Sequence, residues 1–337
     1  MTYLVLLIAV LIFSVGASVV YLRLGRKYGP YAKPNFRSLH ERATLRGGGI
    51  AIAISALAGC LYLDANGDLS FAQLMVYVLG GTIVAAVGVL DDRWDIPARY
   101  RMPFQVLAAG WVCFWLDGLP SLDLGFATVS LGLLGHVGLL VACVWFFNLY
   151  NFIDGIDGMA SSAAIFICSV MGIILWLGQQ HVLAIILGLL AVSNAGFLVF
   201  NWAPAKMFMG EAGSSFISYV LAAVLVQSLW TDASLLWAWL IVCAYYICDT
   251  TLTNLVRALT LPKWHRPHRS HAYQNLARIW NDHRKMVLLV LAINVIWLVP
   301  LLLVMLNNKM YAVIVAVVAY APLVLFNLKY GPRFENK

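Results

Sequence analysis

Charged side chains are scarce in this sequence. Only 11% of its 337 residues are Asp, Glu, Lys or Arg, whereas 62% are hydrophobic. A soluble domain has about a quarter charged and about half apolar residues, so the composition excludes a soluble globular protein. Low-complexity tracts and obvious internal repeats are also absent. The sequence therefore predicts one integral membrane domain over residues 1–337.

Paired cysteines are lacking as well. No CxxC motif is present, and the spacing of the six cysteines does not suggest a disulfide framework. Each cysteine lies inside an apolar run, where it is expected to be a small buried hydrophobe. These residues are Cys60, Cys113, Cys143, Cys168, Cys243 and Cys248.

Long apolar runs dominate the chain. Eleven of them have about the 17–25 residues that a membrane span needs, which predicts an all-α polytopic membrane protein with about eleven transmembrane helices. The stretch "LPSLDLGFATVSLG" between the fourth and fifth runs alternates apolar and small polar residues and is expected to form a short hairpin at the membrane surface. The runs cover residues 3–22, 47–63, 72–90, 101–116, 134–150, 159–178, 183–200, 213–230, 235–258, 286–305 and 310–328.

The basic residues indicate the orientation. With eleven spans, 21 of the 22 Lys and Arg residues fall on one side, and only Lys309 lies opposite. Because basic loops stay in the cytoplasm, the amino terminus is predicted to be periplasmic and the carboxyl terminus cytoplasmic. The first run then forms a span rather than a cleaved signal. The net charge of +7 thus reflects topology and attraction to anionic lipid, and no nucleic-acid partner is needed to explain it.

The segment "NLYNFIDGIDG" places four polar side chains directly after an apolar run. Asn148, Asn151, Asp154 and Asp157 recur at every third position. The two Asp-Gly pairs should end the helix and turn the chain. Amide and carboxylate oxygens are ligands that magnesium prefers. Simple helix capping with an Asx turn is the alternative, but it accounts poorly for four such residues within eleven.

Asp91 and Asp92 end the third predicted span, in "VLDDRWDIPARYR". Neighbouring like charges raise each other's pKa, and a bound cation would remove that penalty. Adjacent helical residues do not share a face, so one of the two is expected to reach a metal. A solvated helix end with Arg93 and Arg99 as counter-ions explains the pair equally well.

Two further polar stretches lie on the same predicted side. "MFMGEAGSSF" places Glu211 between glycines at the start of a span, where phosphate can approach backbone N–H groups, and Phe208 offers a flat face for a nucleobase. "HRPHRSHAYQNLAR" alternates histidine and arginine, which favours anion binding over zinc because the arginines would repel a cation. Together, these features are suited to moving a phosphoryl group between a nucleotide and a lipid.

The chain resembles the polyprenyl-phosphate N-acetylhexosamine-1-phosphate transferase superfamily. The resemblance rests on "RSLHERATLRGGG", "DDRWDIPARYR", "NLYNFIDGIDG", "MFMGEAGSS" and the late His/Arg loop. It implies a multi-pass protein of the bacterial inner membrane that transfers HexNAc-1-phosphate from a UDP-sugar to undecaprenyl phosphate and releases UMP. It also implies an active site in cytoplasmic loops, Mg²⁺ or alternatively Mn²⁺ as cofactor, contact with membrane lipid, and a homodimer as the assembly.

The resemblance also implies roles for individual residues. Asp91, Asp92 and Asp154 would be catalytic, and Asn151 and Glu211 would bind the metal. The substrate-binding residues would be His40, Asn148, Asp157, Phe208, Arg266, Arg269 and His271, with Asp157 and Phe208 near uracil.

Three departures from the family pattern stand out. Glu211 replaces the usual Asp, which adds a methylene group to a metal ligand. "HAYQ" replaces a His-x-His-His ending, and this ending is similar to that of an O-antigen-initiating subgroup that transfers N-acetylfucosamine or N-acetylquinovosamine. The basic residue after the aspartate pair is Arg99 or Arg101 instead of Lys.

Two questions stay open at the level of sequence. The acceptor phosphate attacks either directly or after a covalent aspartyl intermediate. A transporter of a lipid-linked or anionic solute, or a lipid-binding scaffold, would also have many spans. Transporter sites, however, lie near the bilayer midplane, whereas the ionisable residues here cluster at one membrane face.

Overall fold

The computed structural model describes residues 2–32, 43–262 and 268–332. Helices form almost all of this part of the chain, and two short β-hairpins lie between them. The helices are α1 Thr2–Tyr28, α2 Ile50–Ala65, α3 Phe71–Trp94, α4 Ala98–Trp115, α5 Gly132–Ile153, α6 Met159–Leu177, α7 His181–Asn201, α8 Gly210–Leu229, α9 Leu235–Val242, α10 Ala244–Thr260, α11 Ala272–Trp280, α12 His283–Asn307 and α13 Ala312–Tyr330. The strands are β1 Tyr31–Ala32, β2 Thr44–Leu45, β3 Leu122–Asp123 and β4 Thr128–Val129.

The helices confirm a polytopic membrane protein. A helix occupies each of the eleven predicted runs, and within the described residues eight helices are long and apolar enough to cross a membrane. The pair α9 and α10 bends by 69° and gives a ninth span if it is counted as one. The remaining two, α2 with 16 residues and α4 with 18, are not among those eight. The total of eleven and the orientation therefore stay predictions.

The predicted surface hairpin is present. Strands β3 and β4 pair antiparallel, with Leu122 opposite Val129. Trp237 Nε1 donates to the carbonyl oxygen of Asp123 at 2.6 Å, which holds the hairpin against α9. Lys309, the one basic residue outside the basic loops, pairs with Asp232 at 2.5 Å on the same face of the bundle.

Helix α8 forms the centre of the bundle and is the most deeply buried of the candidate spans. Small residues at its start allow two neighbours to approach closely. A Cβ atom on Gly88 of α3 would lie 2.5 Å from the Cα of Ala212, and one on Gly49, just before α2, would lie 2.4 Å from the Cα of Gly213. Close backbone contact through small residues is how membrane helices pack without a hydrophobic driving force.

This packing brings together the polar helix ends that the sequence singles out. Helices α3 and α5 end, and α8 begins, at the same end of the bundle. Asp92, Asn151 and Glu211 are consequently neighbours there. Three of the predicted polar stretches, those with Asp92, Asn151 and Glu211, therefore meet at one end of the bundle.

The close contact between α3 and α8 predicts a stability effect. Gly88→Ala places a methyl group against the backbone of Ala212, and overpacking of this kind destabilises by about 1–3 kcal/mol. Gly110→Ala is the matched control, because no atom lies within 4 Å of its Cβ position. Thermal melting in detergent should show a lower Tm for Gly88→Ala only. Equal melting of both variants would contradict the tight contact.

The proposed orientation predicts a labelling pattern. Cysteines replacing Asn66 or Asn308, both exposed, should react with a membrane-impermeant thiol reagent in intact cells. Lys206→Cys, exposed at the opposite end, should react only after permeabilisation. The unmodified chain, with five of its six cysteines buried, is the control. The reverse pattern would place the polar cluster on the outer face.

Candidate active site

Asp92 joins the end of α3 to the start of α8. Its Oδ1 accepts a hydrogen bond from the Glu211 N–H at 2.9 Å, and its Oδ2 accepts one from the Ala212 N–H at 3.0 Å. Arg46 Nε lies 2.9 Å from Oδ1. Gly210 has a φ of +74°, and a Cβ there would lie 2.5 Å from Asp92 Oδ1, so this turn favours glycine. Asp92 thereby fixes the position of Glu211.

Asp91 faces the other way. Its Oδ1 accepts from the Ile96 N–H at 2.6 Å, and its Oδ2 accepts from Arg101 Nη1 at 3.0 Å. The two aspartates therefore point to different sides, as expected for adjacent helical residues. Both side chains are buried.

The counter-ions of the aspartate pair differ from those expected. Arg46 and Arg101 pair with these carboxylates, whereas Arg93 donates to the carbonyl oxygen of Tyr28 and Arg99 lies over the Tyr100 ring. The expectation that Arg93 and Arg99 are the counter-ions is wrong. Arg99 follows Pro97 in the first turn of α4, and Arg101, two residues further on, is the arginine whose side chain reaches Asp91.

Glu211 is the meeting point of the cluster. Its Oε1 accepts hydrogen bonds from Arg101 Nη1 and Asn151 Nδ2, and the residue is only 7% exposed. The arginine that binds Asp91 therefore also binds Glu211. Helices α3, α4, α5 and α8 are thus linked through one carboxylate.

Asp154 follows the end of α5 and is half-buried. Burial and the nearby carboxylates of Glu211 and Asp92 raise the pKa of Asp154 to about 8, an increase that Arg46 only partly offsets. Both the burial and the neighbouring carboxylates therefore disfavour the charged form of Asp154. A bound cation would relieve this repulsion.

Two cavities meet at this cluster. A polar cavity of about 310 Å³ opens at the bundle end, with Asn151, Asp154, Asp157, Phe208 and Glu211 in its wall together with Arg46, Gln274 and His283. An apolar groove of about 270 Å³ runs between α3, α4 and α8. Its lining includes Ile83, Val87, Phe104 and Trp111, and its polar end is formed by Asp91, Arg101 and Glu211. Among the residues that the structure describes, Glu211 is the one that lines both.

Asn148, Arg269 and His271 are not among the residues that line the polar cavity. Asn148 Nδ2 donates to Gln105 Oε1 at 2.8 Å and links α5 to α4. His271 begins α11, is 2% exposed, and has its Nδ1 3.4 Å from Asp249 Oδ2. Arg269 is half-buried in the segment before α11. His40 and Arg266 lie outside the described residues.

Arg46 and His283 are two of the cavity-wall residues that sequence reasoning did not single out. Arg46 directly precedes the glycine run that leads into α2, and a basic residue beside such a run is a signal that could have found it. His283 lies outside every motif, at the first turn of α12, and only the fold brings it to Asp157.

The chain is similar to membrane transferases over the region that holds this site. Residues 74–229, from before Asp91 to beyond Glu211, match glycosyl transferase family 4. The chain is 28% identical over 300 residues to the probable undecaprenyl-phosphate N-acetylglucosaminyl 1-phosphate transferase of Bacillus subtilis, covering 88% of this chain and 82% of that protein.

Two other relatives have the same level of identity. Decaprenyl-phosphate N-acetylglucosaminephosphotransferase of Mycolicibacterium smegmatis is 28% identical over 297 residues, covering 79% of this chain and 73% of that protein. The undecaprenyl-phosphate alpha-N-acetylglucosaminyl 1-phosphate transferase of Escherichia coli is 28% identical over 230 residues, covering 66% and 61%. These matches confirm the resemblance, seen in the motifs, to the polyprenyl-phosphate N-acetylhexosamine-1-phosphate transferase superfamily.

Proposed function

We propose that this protein transfers HexNAc-1-phosphate from a UDP-sugar to undecaprenyl phosphate, releasing UMP and starting a lipid-linked glycan. The observation that carries the proposal is the position of Glu211, where the polar cavity and the apolar groove meet. A transferase that joins a soluble donor to a lipid acceptor needs two such compartments with a shared boundary. The names of the relatives, which are polyprenyl-phosphate transferases, support the same reaction.

The apolar groove suits the acceptor. Aliphatic and aromatic side chains line its length, and Arg101 lies at its polar end. A polyprenyl chain in the groove would place its phosphate beside this guanidinium, which binds phosphate through charge-assisted hydrogen bonds. Arg101 is already held by Asp91 and Glu211 and is therefore oriented before the lipid arrives.

The polar cavity suits the donor and a divalent cation. Asn151, Asp154 and Glu211 offer amide and carboxylate oxygens, and a bound cation would favour the charged form of Asp154, which burial and the nearby carboxylates of Glu211 and Asp92 disfavour. Among the described residues, no three His, Cys, Asp or Glu side chains form a complete metal site. Mg²⁺ commonly binds one or two carboxylates together with substrate phosphates. When bound, Mg²⁺ or Mn²⁺ would neutralise charge on the pyrophosphate.

In the proposed reaction, an oxygen of the acceptor phosphate attacks the donor phosphorus that carries the sugar. The new P–O bond forms as the bond to the bridging oxygen of UMP breaks, in line. The second pKa of a phosphomonoester is about 6, so the acceptor is mostly a dianion at pH 7 and gains little from a general base. Asp91 would then orient Arg101 and the acceptor.

The hydrogen bonds of the aspartate pair favour direct attack over a covalent aspartyl intermediate. Both oxygens of Asp92 accept backbone N–H groups of α8, and both oxygens of Asp91 are also hydrogen-bonded. These hydrogen bonds lower the electron density on both carboxylates and make either a weaker nucleophile. For Asp92, formation of a covalent bond would also weaken the contacts that hold the start of α8, which carries Glu211.

We further propose a 6-deoxy HexNAc donor, such as the UDP derivative of N-acetylfucosamine or N-acetylquinovosamine, and a role in O-antigen synthesis. The support is the "HAYQ" ending, whose Gln274 lines the polar cavity at the position that departs from the family's histidines. An amide there can both donate to and accept from sugar hydroxyls. The proposed setting is the bacterial inner membrane, and a homodimer stays a prediction.

The structure offers little support for a transporter. Asp249, the acid furthest inside a predicted span, accepts hydrogen bonds from the Ala272 N–H and from Asn327 Nδ2. It therefore joins α10 to α11 and α13. Release of UMP from a panel of UDP-sugars, measured with and without undecaprenyl phosphate, tests the proposed reaction directly. UMP release that needs the lipid supports it, and transport without UMP release would refute it.

Removing charge from the cluster should stop turnover. Asp91→Asn, Asp92→Asn and Asp154→Asn should each lower kcat at least about a hundredfold, because each weakens a site that stabilises pyrophosphate charge. EDTA should abolish activity, and Mg²⁺ or Mn²⁺ should restore it. Asp117→Asn is the control, because Asp117 is exposed and follows the end of α4, whereas Arg101 lies at the start of that helix. Turnover near wild type in all three variants would contradict the assignment of this site.

Glu211 should determine the magnesium requirement. Glu211→Gln keeps the length but removes the charge, so it should lose most activity and need more Mg²⁺. Glu211→Asp keeps the charge but withdraws the carboxylate by about 1.5 Å from Arg101 and Asn151, so partial activity with a higher Mg²⁺ optimum is expected. If Glu211 only favours the dipole of α8, worth about 0.3–1 kcal/mol, the Mg²⁺ titration curves of all three proteins will coincide.

A further inference from the structure

Three chain segments meet at the wall of the polar cavity that Asp157 and His283 form. Arg284 Nε donates to the carbonyl oxygen of Ala203 at 2.6 Å, which holds the start of α12 against the segment before α8. The Ala205 N–H donates to Asp157 Oδ2 at 3.0 Å. The loop before α6, the segment that carries Phe208 and the start of α12 are therefore fixed to one another.

Asp157 orients the imidazole ring of His283. The Asp157 N–H donates to His283 Nδ1 at 3.4 Å, and Asp157 Oδ2 lies 3.4 Å from the same nitrogen. A neutral ring that accepts at Nδ1 carries its proton on Nε2. Within the described part of the chain, Nε2 makes no hydrogen bond, and the side chain is 18% exposed in a residue that lines the cavity. The Nε2–H is thus available to a bound molecule.

A free acceptor lies beside this donor. Asp157 Oδ2 is engaged with Ala205 and His283, whereas Oδ1 accepts no hydrogen bond from the residues that the structure describes. Phe208 lines the same cavity and offers an aromatic face, on which a nucleobase can stack. The wall therefore presents a carboxylate acceptor, an imidazole donor and a flat apolar surface.

This pattern matches one edge of uracil. The N3–H of uracil is a donor and its O4 is an acceptor, so N3–H can bind Asp157 Oδ1 while O4 binds His283 Nε2–H. Cytosine has the reverse pattern, an acceptor at N3 and a donor at N4, and would place N3 against a carboxylate. We propose that His283, oriented by Asp157, is a specificity-determining residue that reads the uracil of the donor nucleotide. This inference rests on the proposed function and extends it to a residue outside the family motifs.

The phosphate-binding groups lie at the side of the cavity that Glu211 forms, so the wall of Asp157 and His283 is open to the base. Glu211 borders the lipid groove, so the reacting phosphorus must lie at that side of the cavity, whereas Asp157 and His283 line the polar cavity only. A carboxylate that is not paired with a cation repels phosphate. A nucleobase with an N–H donor is better suited to Asp157, and His283 supplies the N–H donor for an acceptor on the same base.

Binding of UDP and CDP to the purified protein, without lipid acceptor, tests the inference. Wild type should bind UDP at least about tenfold more tightly than CDP. His283→Leu removes the donor and should weaken UDP binding about tenfold, the effect of one hydrogen bond of about 1.4 kcal/mol. CDP binding should change less than about twofold. His283→Gln, with an amide N–H near the position of Nε2, should restore the preference.

His283→Asn is the second variant. Its amide reaches the position of Nδ1 but not that of Nε2, so it keeps a polar contact with Asp157 and should still lose the preference for UDP. Thermal melting will show whether His283→Leu folds. If it does not fold, His283→Asn tests the inference in its place. In turnover assays, KM for the UDP-sugar should rise in both variants while kcat stays within about twofold.

Two outcomes would overturn the inference. An equal loss of UDP and CDP affinity would give His283 a structural role, and unchanged UDP affinity with a raised KM for the UDP-sugar would place the sugar at this wall. Because the binding assay needs no transfer, the two proposals fail separately. Selective UDP binding without transfer would refute the proposed function alone, and transfer with UDP preference intact in His283→Leu would refute the role of His283 alone.

Discussion

The hydrogen bonds from the start of α8 to the carboxylate of Asp92 are the contacts on which the rest of the site depends. A helix begins with backbone N–H groups that have no partner within the helix, and in this bundle end they would otherwise be buried without one. Asp92 accepts two of them and is itself neutralised by Arg46. Glu211 is the residue that donates one of these N–H groups. Its backbone is therefore fixed by α3, while its side chain meets α4 and α5 through Arg101 and Asn151.

Charge balance explains why this cluster is stable without a ligand and still suited to one. Arg46 and Arg101 are the cations that pair directly with the buried acids Asp92, Asp91 and Glu211. Asp154 pairs directly with no arginine in the described structure, and burial together with the nearby carboxylates of Glu211 and Asp92 raises its pKa. Two arginines face the three carboxylates that they pair with, and a bound divalent cation would favour the charged form of Asp154. Burying unpaired charge is costly, and Asp154 lines the cavity, where solvent or substrate can reach it.

The sequence was sufficient to predict the polytopic helical fold, the surface hairpin and the convergence of "DDRWD", "NFIDGIDG" and "MGEAG" at one end of the bundle. These features follow from hydropathy, turn residues and the sidedness of basic loops, all of which are local. The partners of each acid were not predictable in this way. Arg101 rather than Arg99 reaches Asp91 because of the rotation of α4, and His283 meets Asp157 across more than a hundred residues. The direction of the Asn148 side chain likewise depends on α4, because Gln105 of that helix accepts its hydrogen bond.

The apolar groove is bordered by side chains that are open to the surroundings of the bundle. Leu107 is 68% exposed, and Ile83 and Phe104 are each 50% exposed. A groove with such a rim has its entrance in the hydrocarbon layer rather than in water. A lipid held there can arrive and depart by lateral diffusion, so the encounter is governed by its surface density in the leaflet and not by its concentration in solution. In the proposed reaction, the acceptor would therefore reach its groove by diffusion in the plane of the membrane, and the donor would reach the polar cavity by diffusion in the aqueous phase.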